Sequence, residues 1–290
     1  MPDRDARLDV IVRFHDIAQL PALDRCIFSL VGQEYRPLHI HLAVQRFTAN
    51  MIEQTRERLQ PLLEIDGEIG LTLLNWPHAE PSDGRSALAN LGFEAAQGRY
   101  LAFLDYDDTS YPEAHRLLIG RLRAGPAAVA FGGICWKIMD RDSGFPYAVA
   151  KQCPFKGSRL RDLFVGNFCP IHSFVIDRTR IPRQFMFFDP LLTRAEDYDF
   201  LLRICSQYES DFSLVGTIIG DYCIKTDGTN TINTEWRPSP DGSAAWVEAE
   251  AFLEQRRRMT PVSTSVQRLL GLPPRSNLTI RDLLDAPECA

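Results

Sequence analysis

Apolar and polar positions along the first hundred residues alternate between two periods. The β-branched run LDVIVRF, residues 8–14, predicts a buried strand, and Leu20, Leu23, Ile27, Leu30 and Val31 then share one face of a helix. HIHLAV at 39–44 predicts a second strand and residues 50–64 a second helix. LTLLNW at 71–76 reads as a third strand, and SALANLGFEAAQG at 86–98 as a helix stopped by Gly98 in the C′ position. YLAFLDYDDTSYP, residues 100–112, runs from a fourth apolar strand into three carboxylates, Asp105, Asp107 and Asp108. Ser110 and Glu113 have capping-box spacing with Pro112 between them, which predicts a helix over about 112–124. Strands separated by helices of this length imply right-handed crossovers. The expected fold is α/β, Rossmann-like, with a mostly parallel central sheet flanked by helices and ligands beyond the carboxyl ends of its strands.

The second half is less regular. AAVAFGGICWKIM (127–139) and PIHSFVIDR (170–178) are strand-like, AEDYDFLLRICSQY (195–208) has helical spacing, and FSLVGTIIGDYCIKTD (212–227) reads as a strand with a bulge at Gly216. From residue 238 to 290 the texture becomes a Pro/Gly/Ser linker, a helix at about 243–258 and a Pro-punctuated tail, expected to be a helical appendage.

Composition narrows the classes. A chain of 290 residues, 45% hydrophobic, buries a sizeable core, and a formal net charge of −6 leaves no broad basic surface for a nucleic-acid backbone. A small-molecule partner is the expectation. Seven cysteines, an odd number without a C-x-x-C pair, read as free thiols of a reducing compartment. Charges interrupt the N-terminal stretch where a signal peptide needs an apolar run, and no run of about 20 apolar residues occurs, so the sequence reads as a soluble cytoplasmic protein without a transmembrane segment.

The acidic strand end calls for a cation. Two carboxylates about 4 Å apart repel by roughly 4 kcal/mol at an effective dielectric near 20, so the cluster ionises only beside positive charge. Hard oxygen ligands in an x-Asp-x-Asp arrangement suit Mg²⁺ or Mn²⁺, whose coordination shell is completed by water and by the phosphates of a substrate such as a sugar nucleotide. The plain alternative is loop capping. A second cluster, RAEDYDF (194–200), sets Glu196, Asp197 and Asp199 at a helix start, where the dipole alone favours acids. Its functional reading makes Asp197 a base that takes the proton of an attacking hydroxyl.

Together, GRSALANLGFEAAQGRYLAFLDYDD and FFDPLLTRAEDYDFLLRI resemble the DxD and ED segments of family 2 glycosyltransferases of the GT-A fold, and IHSFVIDRTRI and YCIKTDGTNTI fall where that family has its acceptor-side strand and the segment over the metal. The resemblance covers roughly residues 8–235. It implies an inverting, metal-dependent transfer of a sugar from a nucleoside-diphosphate donor to an acceptor hydroxyl, in a setting such as surface polysaccharide or glycolipid synthesis. It also implies a nucleotide-sugar half at 1–108 and an acceptor half at 109–237. Asp105 would face the ribose or base, Asp107 would ligate the cation with help from Asp105, Asp197 would be the base, and Glu196 would steady it or the acceptor. Asp227 lies where relatives place a histidine near the metal. Departures leave the nucleobase open: RFHD, residues 13–16, replaces the usual Pro-x-Tyr-Asn turn and offers Phe14 or His15 for stacking, and Gln45 stands where relatives carry an acidic contact. Arg85 is a candidate for a phosphate or the base.

Other readings stay open from sequence. LAFLDYDDT also fits the nucleophile motif of haloacid-dehalogenase-like phosphatases, with Asp105 phosphorylated and Asp107 as acid and base, although such a motif normally lies on a first strand. A non-catalytic relative that binds a sugar nucleotide or glycan is the third reading. His172, Trp136, Phe168 and Phe174 are candidates for sugar stacking or for core, and the arginines of EQRRRM, 254–259, for an anionic lipid surface or a solvated face. Sugar, acceptor and oligomeric state are not legible.

Overall fold

The computed structural model describes residues 6–140, 146–226, 230 and 243–286. The predicted alternation is present: β1 (Leu8–Phe14), α1 (Leu20–Val31), β2 (Leu38–Gln45), α2 (Ala49–Leu63), β3 (Ile69–Trp76), α3 (Arg85–Ala95) and β4 (Tyr100–Asp105) follow in order. After them come β5 (Thr109–Ser110), α4 (Ala114–Ala124), β6 (Val129–Asp140), β7 (Tyr147–Gln152), α5 (Leu160–Val165), β8 (Phe174–Asp177), α6 (Glu196–Cys205) and β9 (Ser210–Lys225). The described chain closes with α7 (Ser243–Met259), α8 (Thr264–Leu269) and α9 (Ile280–Asp285).

Sheet order is β3-β2-β1-β4-β8-β6-β9-β5, with β7 paired to β6. The first four strands are parallel, β8 is antiparallel to both β4 and β6, and β6 and β9 are again parallel, so the sheet is mixed and its regular half is the parallel one. Strand order reverses between β1 and β4. Helical connections leave on opposite faces there, which opens a crevice at the carboxyl ends of both strands. The last rung of that pair sets Arg13 opposite Asp105, so register alone brings a guanidinium to the first acid of the cluster.

Two cores lie on the two sheet faces. One packs β1 and β2 residues such as Val10, Val12 and Leu42 against α1, α2 and α4; the other packs Phe93, Phe103, Phe174, Phe188 and Phe200 beneath α6. The Phe188 and Phe200 rings stack at 4.9 Å. That aromatic bed explains why α6 is buried almost throughout and why its first turn cannot shift freely.

The capping box does not form, because Ser110 is drawn into β5 and Glu113 makes no side-chain bond to the start of α4. Helix α3 ends at Ala95, before Gly98. The glycine serves close approach instead: a Cβ there would lie 2.6 Å from the Arg7 carbonyl oxygen, and its N–H donates to the fully buried Asp9 at 2.8 Å. The thiols are not all free, since Cys135 on β6 and Cys153 just beyond β7 are joined by a disulfide; Cys26, Cys169, Cys205 and Cys223 are free and buried. Trp136, Phe168 and Phe174 are core side chains, at most 8% exposed, which removes them from sugar stacking.

The arginine run does not form a lipid-facing patch. On α7, Arg256 donates to Asp199 at 2.6 Å, and Arg257 donates to the Phe164 carbonyl and the Tyr198 hydroxyl at 3.0 Å each, so two of the three hold α7 onto α6. Arg258 alone is largely exposed, paired with Glu254. Asp199, which also accepts from Arg203 at 2.9 Å, is thereby a structural acid of the second cluster. No helix among the described residues is long and apolar enough to cross a membrane.

Candidate active site

The crevice at the β1–β4 switch is the mouth of a cleft of about 1470 Å³ whose walls include Arg13, Asp105, Asp107, Glu196 and Asp197. Both acidic motifs therefore face one space. What joins them is Arg13. Its Nε and Nη2 form a fork on Asp105 at 2.7 and 2.8 Å, and its Nη1 donates to Glu196 at 2.7 Å. Burial opposes the Arg13 charge, but the two carboxylates outweigh it and hold the guanidinium well above its ordinary range. Burial likewise pushes Asp105 up, and the Arg13 charge overrides this, so its carboxyl sits below the usual carboxylate range.

The signal for Arg13 was in the sequence. Asp9, Ile11 and Arg13 alternate onto one face of an otherwise apolar strand, and a charge inside such a run requires a partner. The pairing with Glu196 spans 183 positions and is a product of the fold. Arg85, at the start of α3, forks Asp83 at 2.9 and 3.0 Å and lies 3.8 Å from Glu196, while Arg194 also reaches Asp83 at 3.0 Å. Burial opposes ionisation of Asp83, but Arg85 prevails and lowers its pKa.

The three acids after β4 separate into three environments. Asp107 pairs through Oδ2 with Lys225 Nζ at 2.7 Å. Asp108 turns inward and accepts the Cys223 N–H at 2.8 Å; burial and then the neighbouring Asp107 and Asp105 charges drive its pKa well above the carboxylate range. His172 Nδ1 is 3.3 Å from Asp108, burial lowers its pKa to about 4, and its side chain is wholly enclosed, so His172 is a core residue.

Asp197 occupies the first turn of α6, behind Ala195 in a left-handed conformation with φ 55°. Its Oδ1 accepts the N–H of Tyr198 at 2.7 Å, and the residue is half-buried at the cleft wall. Burial first, then the adjacent Glu196 charge, raise its pKa to about 7, with Arg13 pulling the other way. A carboxylate tuned to that range, open to a cleft, is suited to accept a proton near neutral pH.

Of the remaining sequence candidates, His15 is exposed at the cleft, edge-on to Tyr106, and Gln45 lines the cleft while donating to the Ser82 carbonyl at 2.9 Å. Phe14 is corrected: it is fully buried between Phe47 and Tyr106 and has no face for a base, because the even positions of β1 point into the core. Asp227 lies outside the described residues. A further wall is provided by α5, α7 and the segment before β8. There Val165, Ile171, Trp246 and Val247 line the cleft, and the buried Nε1 of Trp246 has no hydrogen-bond partner among the described residues.

The family described as "Glycosyl transferase family 2" matches residues 10–179. A curated relative, "Uncharacterized protein y4gI" of Sinorhizobium fredii, is 28% identical over 204 residues, which is 67% of this chain. The match covers only 20% of that relative's length. Among solved structures, S. aureus TarS 1–349 in complex with UDP-GlcNAc has a TM-score of 0.60 at 13% identity, covering 89% of this chain and 68% of that one. The mannosyltransferase PcManGT of Pyrobaculum calidifontis, in complex with GDP-Man and Mn²⁺, has a TM-score of 0.54 at 12% identity, covering 93% and 77%. At such identities these structures establish a shared GT-A fold.

Proposed function

The chain belongs to glycosyl transferase family 2, and on that premise we propose that it moves a sugar from a nucleoside-diphosphate donor to an acceptor hydroxyl in a single displacement that inverts the anomeric carbon. The observation that carries this reading is the convergence of Asp105, Asp107, Glu196 and Asp197 on one cleft. Single-ligand pockets run to about 300–1,000 Å³, so a cleft of about 1470 Å³ has room for a donor and an acceptor together.

In this mechanism Asp197 takes the proton as the acceptor oxygen bonds to the anomeric carbon. Glu196 and Asp105, both gripped by Arg13, keep the base and the donor platform in register. Gln45, His15 and Arg85 line the side of the cleft assigned to the nucleotide. Among the described residues no three His, Cys, Asp or Glu side chains stand together as a metal cage, and both oxygens of Asp105 are engaged by Arg13. A Mn²⁺ or Mg²⁺ ion would be held jointly by the Asp107 carboxylate and the donor's diphosphate, hard oxygen ligands that suit either cation. Such a cation neutralises the diphosphate and stabilises charge on the leaving group. Asp227 remains a proposed further ligand.

Relatives of this fold solved with UDP-GlcNAc and with GDP-Man and Mn²⁺ direct the test to uridine and guanosine donors. One nucleoside diphosphate, with Mn²⁺, is expected to raise the melting temperature, and the matching sugar nucleotide to release that diphosphate during turnover. Release of free phosphate from a phosphomonoester with an acyl-phosphate at Asp105 would instead favour the phosphatase reading. Binding without turnover across an acceptor panel would favour the non-catalytic one.

The acceptor is assigned to the wall formed by α5 and α7. Trp246 is partly exposed and lines the cleft, and its ring offers an apolar face of the kind on which a sugar ring stacks. Trp246→Ala is expected to raise the acceptor KM roughly tenfold and leave nucleotide affinity unchanged. Steady-state kinetics with calorimetry check this, and an unchanged acceptor KM would remove Trp246 from the acceptor site.

A further inference from the structure

Lys225 has no task in the mechanism so far, yet it sits at its centre. It ends β9 with its ammonium 2.7 Å from Asp107 and 5.5 Å from the centroid of the Tyr106 ring, and only 10% of its side chain is exposed. Its backbone is fixed on both sides: its N–H donates to Asn230 Oδ1 at 2.8 Å, and its carbonyl accepts from Asn230 Nδ2 at 2.5 Å. A largely buried ion pair adds little net stability over an apolar pair of the same shape, so stability alone gives a weak reason for a lysine at this position. A lysine locked permanently onto Asp107 would also occupy the carboxylate that the donor complex needs. The flexible stem and the compact charge allow a different outcome, in which the ammonium changes partner.

Chemistry supplies the partner. When the bond between the anomeric carbon and the β-phosphate oxygen breaks, the electron pair stays on that oxygen. The departing nucleoside diphosphate therefore carries one more negative charge than the sugar nucleotide did, and a cation beside it favours the late charge over the early one. We propose that Lys225 is a leaving-group residue: it holds Asp107 in the donor-free protein and transfers its ammonium to the diphosphate once Asp107 engages the donor complex. The inference rests on the glycosyl-transfer reading and adds to it a specific cation for the leaving group.

The test is calorimetry on the full chain, as wild type, Lys225→Met and Lys225→Arg. UDP, GDP and the corresponding sugar nucleotides are titrated with Mn²⁺, and Mn²⁺ is titrated alone. Lys225→Met is expected to weaken the diphosphate that the wild type binds by roughly 10- to 100-fold, the value of one charge-assisted contact, and to weaken its sugar nucleotide by less than about threefold. Mn²⁺ alone should bind the Met variant more tightly, because Asp107 is released. Lys225→Arg, which keeps the charge, should recover most of the diphosphate affinity and guards against a folding defect. Equal affinity of wild type and Lys225→Met for the diphosphate, or equal losses for diphosphate and sugar nucleotide, would overturn the proposal and leave glycosyl transfer standing. A wild type that binds none of these nucleotides would sink both.

Discussion

Asp197→Asn is expected to bind the donor nucleotide within a few-fold of wild type and to transfer sugar about 10²- to 10⁴-fold more slowly. Asparagine keeps the shape of aspartate and can still accept the Tyr198 N–H that fixes Oδ1. What it loses is the ability to take a proton. The same assignment sets the pH profile. The active form of Asp197 is the carboxylate, and burial together with Glu196 has raised its pKa to about 7. Below that value the base is protonated, so kcat/KM should fall tenfold per pH unit toward pH 5; above it, the rate should level off. Initial rates of nucleoside-diphosphate release across pH 5–9 and calorimetry on the variant measure both effects. An Asp197→Asn protein turning over within tenfold of wild type, or a flat profile through pH 7, would end the base assignment.

Arg13→Met should damage stability and catalysis together. The substitution removes the fork on Asp105 and the 2.7 Å partner of Glu196, leaving Arg85 at 3.8 Å from Glu196, at a site where the Arg13 side chain is 10% exposed and that of Glu196 is 4% exposed. Breaking a buried pair from one side costs about 3–5 kcal/mol, which lowers the melting temperature of a chain this size by roughly 6–20 °C. Stability loss alone does not identify a positioning residue; the pH profile does. Arg13 pulls the Asp197 pKa down, so removing its charge should move the acid limb of kcat/KM to higher pH. Arg13→Lys keeps the charge but cannot grip both carboxylates with a planar fork. It should hold the limb near its wild-type position while kcat falls about tenfold or more, because the base and the donor platform lose their shared register. An acid limb that stays put in Arg13→Met, in protein verified as folded at the assay temperature, would reduce Arg13 to a structural ion pair.

The parallel half of the fold was legible because its information is local. Period-two and period-3.6 runs such as LDVIVRF and the Leu20–Val31 face state which side of each element is buried, and β1 to β4 appear where that pattern puts them. Misreadings came where a short signal had a long-range competitor. Ser110 was taken by a strand partner more than a hundred residues away, and Gly98 answers to Asp9 and Arg7 on β1 rather than to its own helix. The Cys135–Cys153 bridge belongs to the same class, since residue counting cannot state which two thiols meet. The arginines of α7 looked like surface charge because their acceptors, Asp199 and Tyr198, lie in another cluster.

By itself, the sequence determined the kind of chemistry: two acidic motifs, their order, and a strand-and-helix frame that presents carboxylates at strand ends. Only the tertiary structure decided what each acid does. Asp105, Asp107 and Asp108 are neighbours in the chain, yet one is forked by Arg13, one is paired with Lys225 and one is buried against a backbone N–H. The physical reason is that a carboxylate's state depends on the charges and burial within a few ångströms of it. Those neighbours come from β1 and β9, which sequence distance keeps apart and only folding brings together.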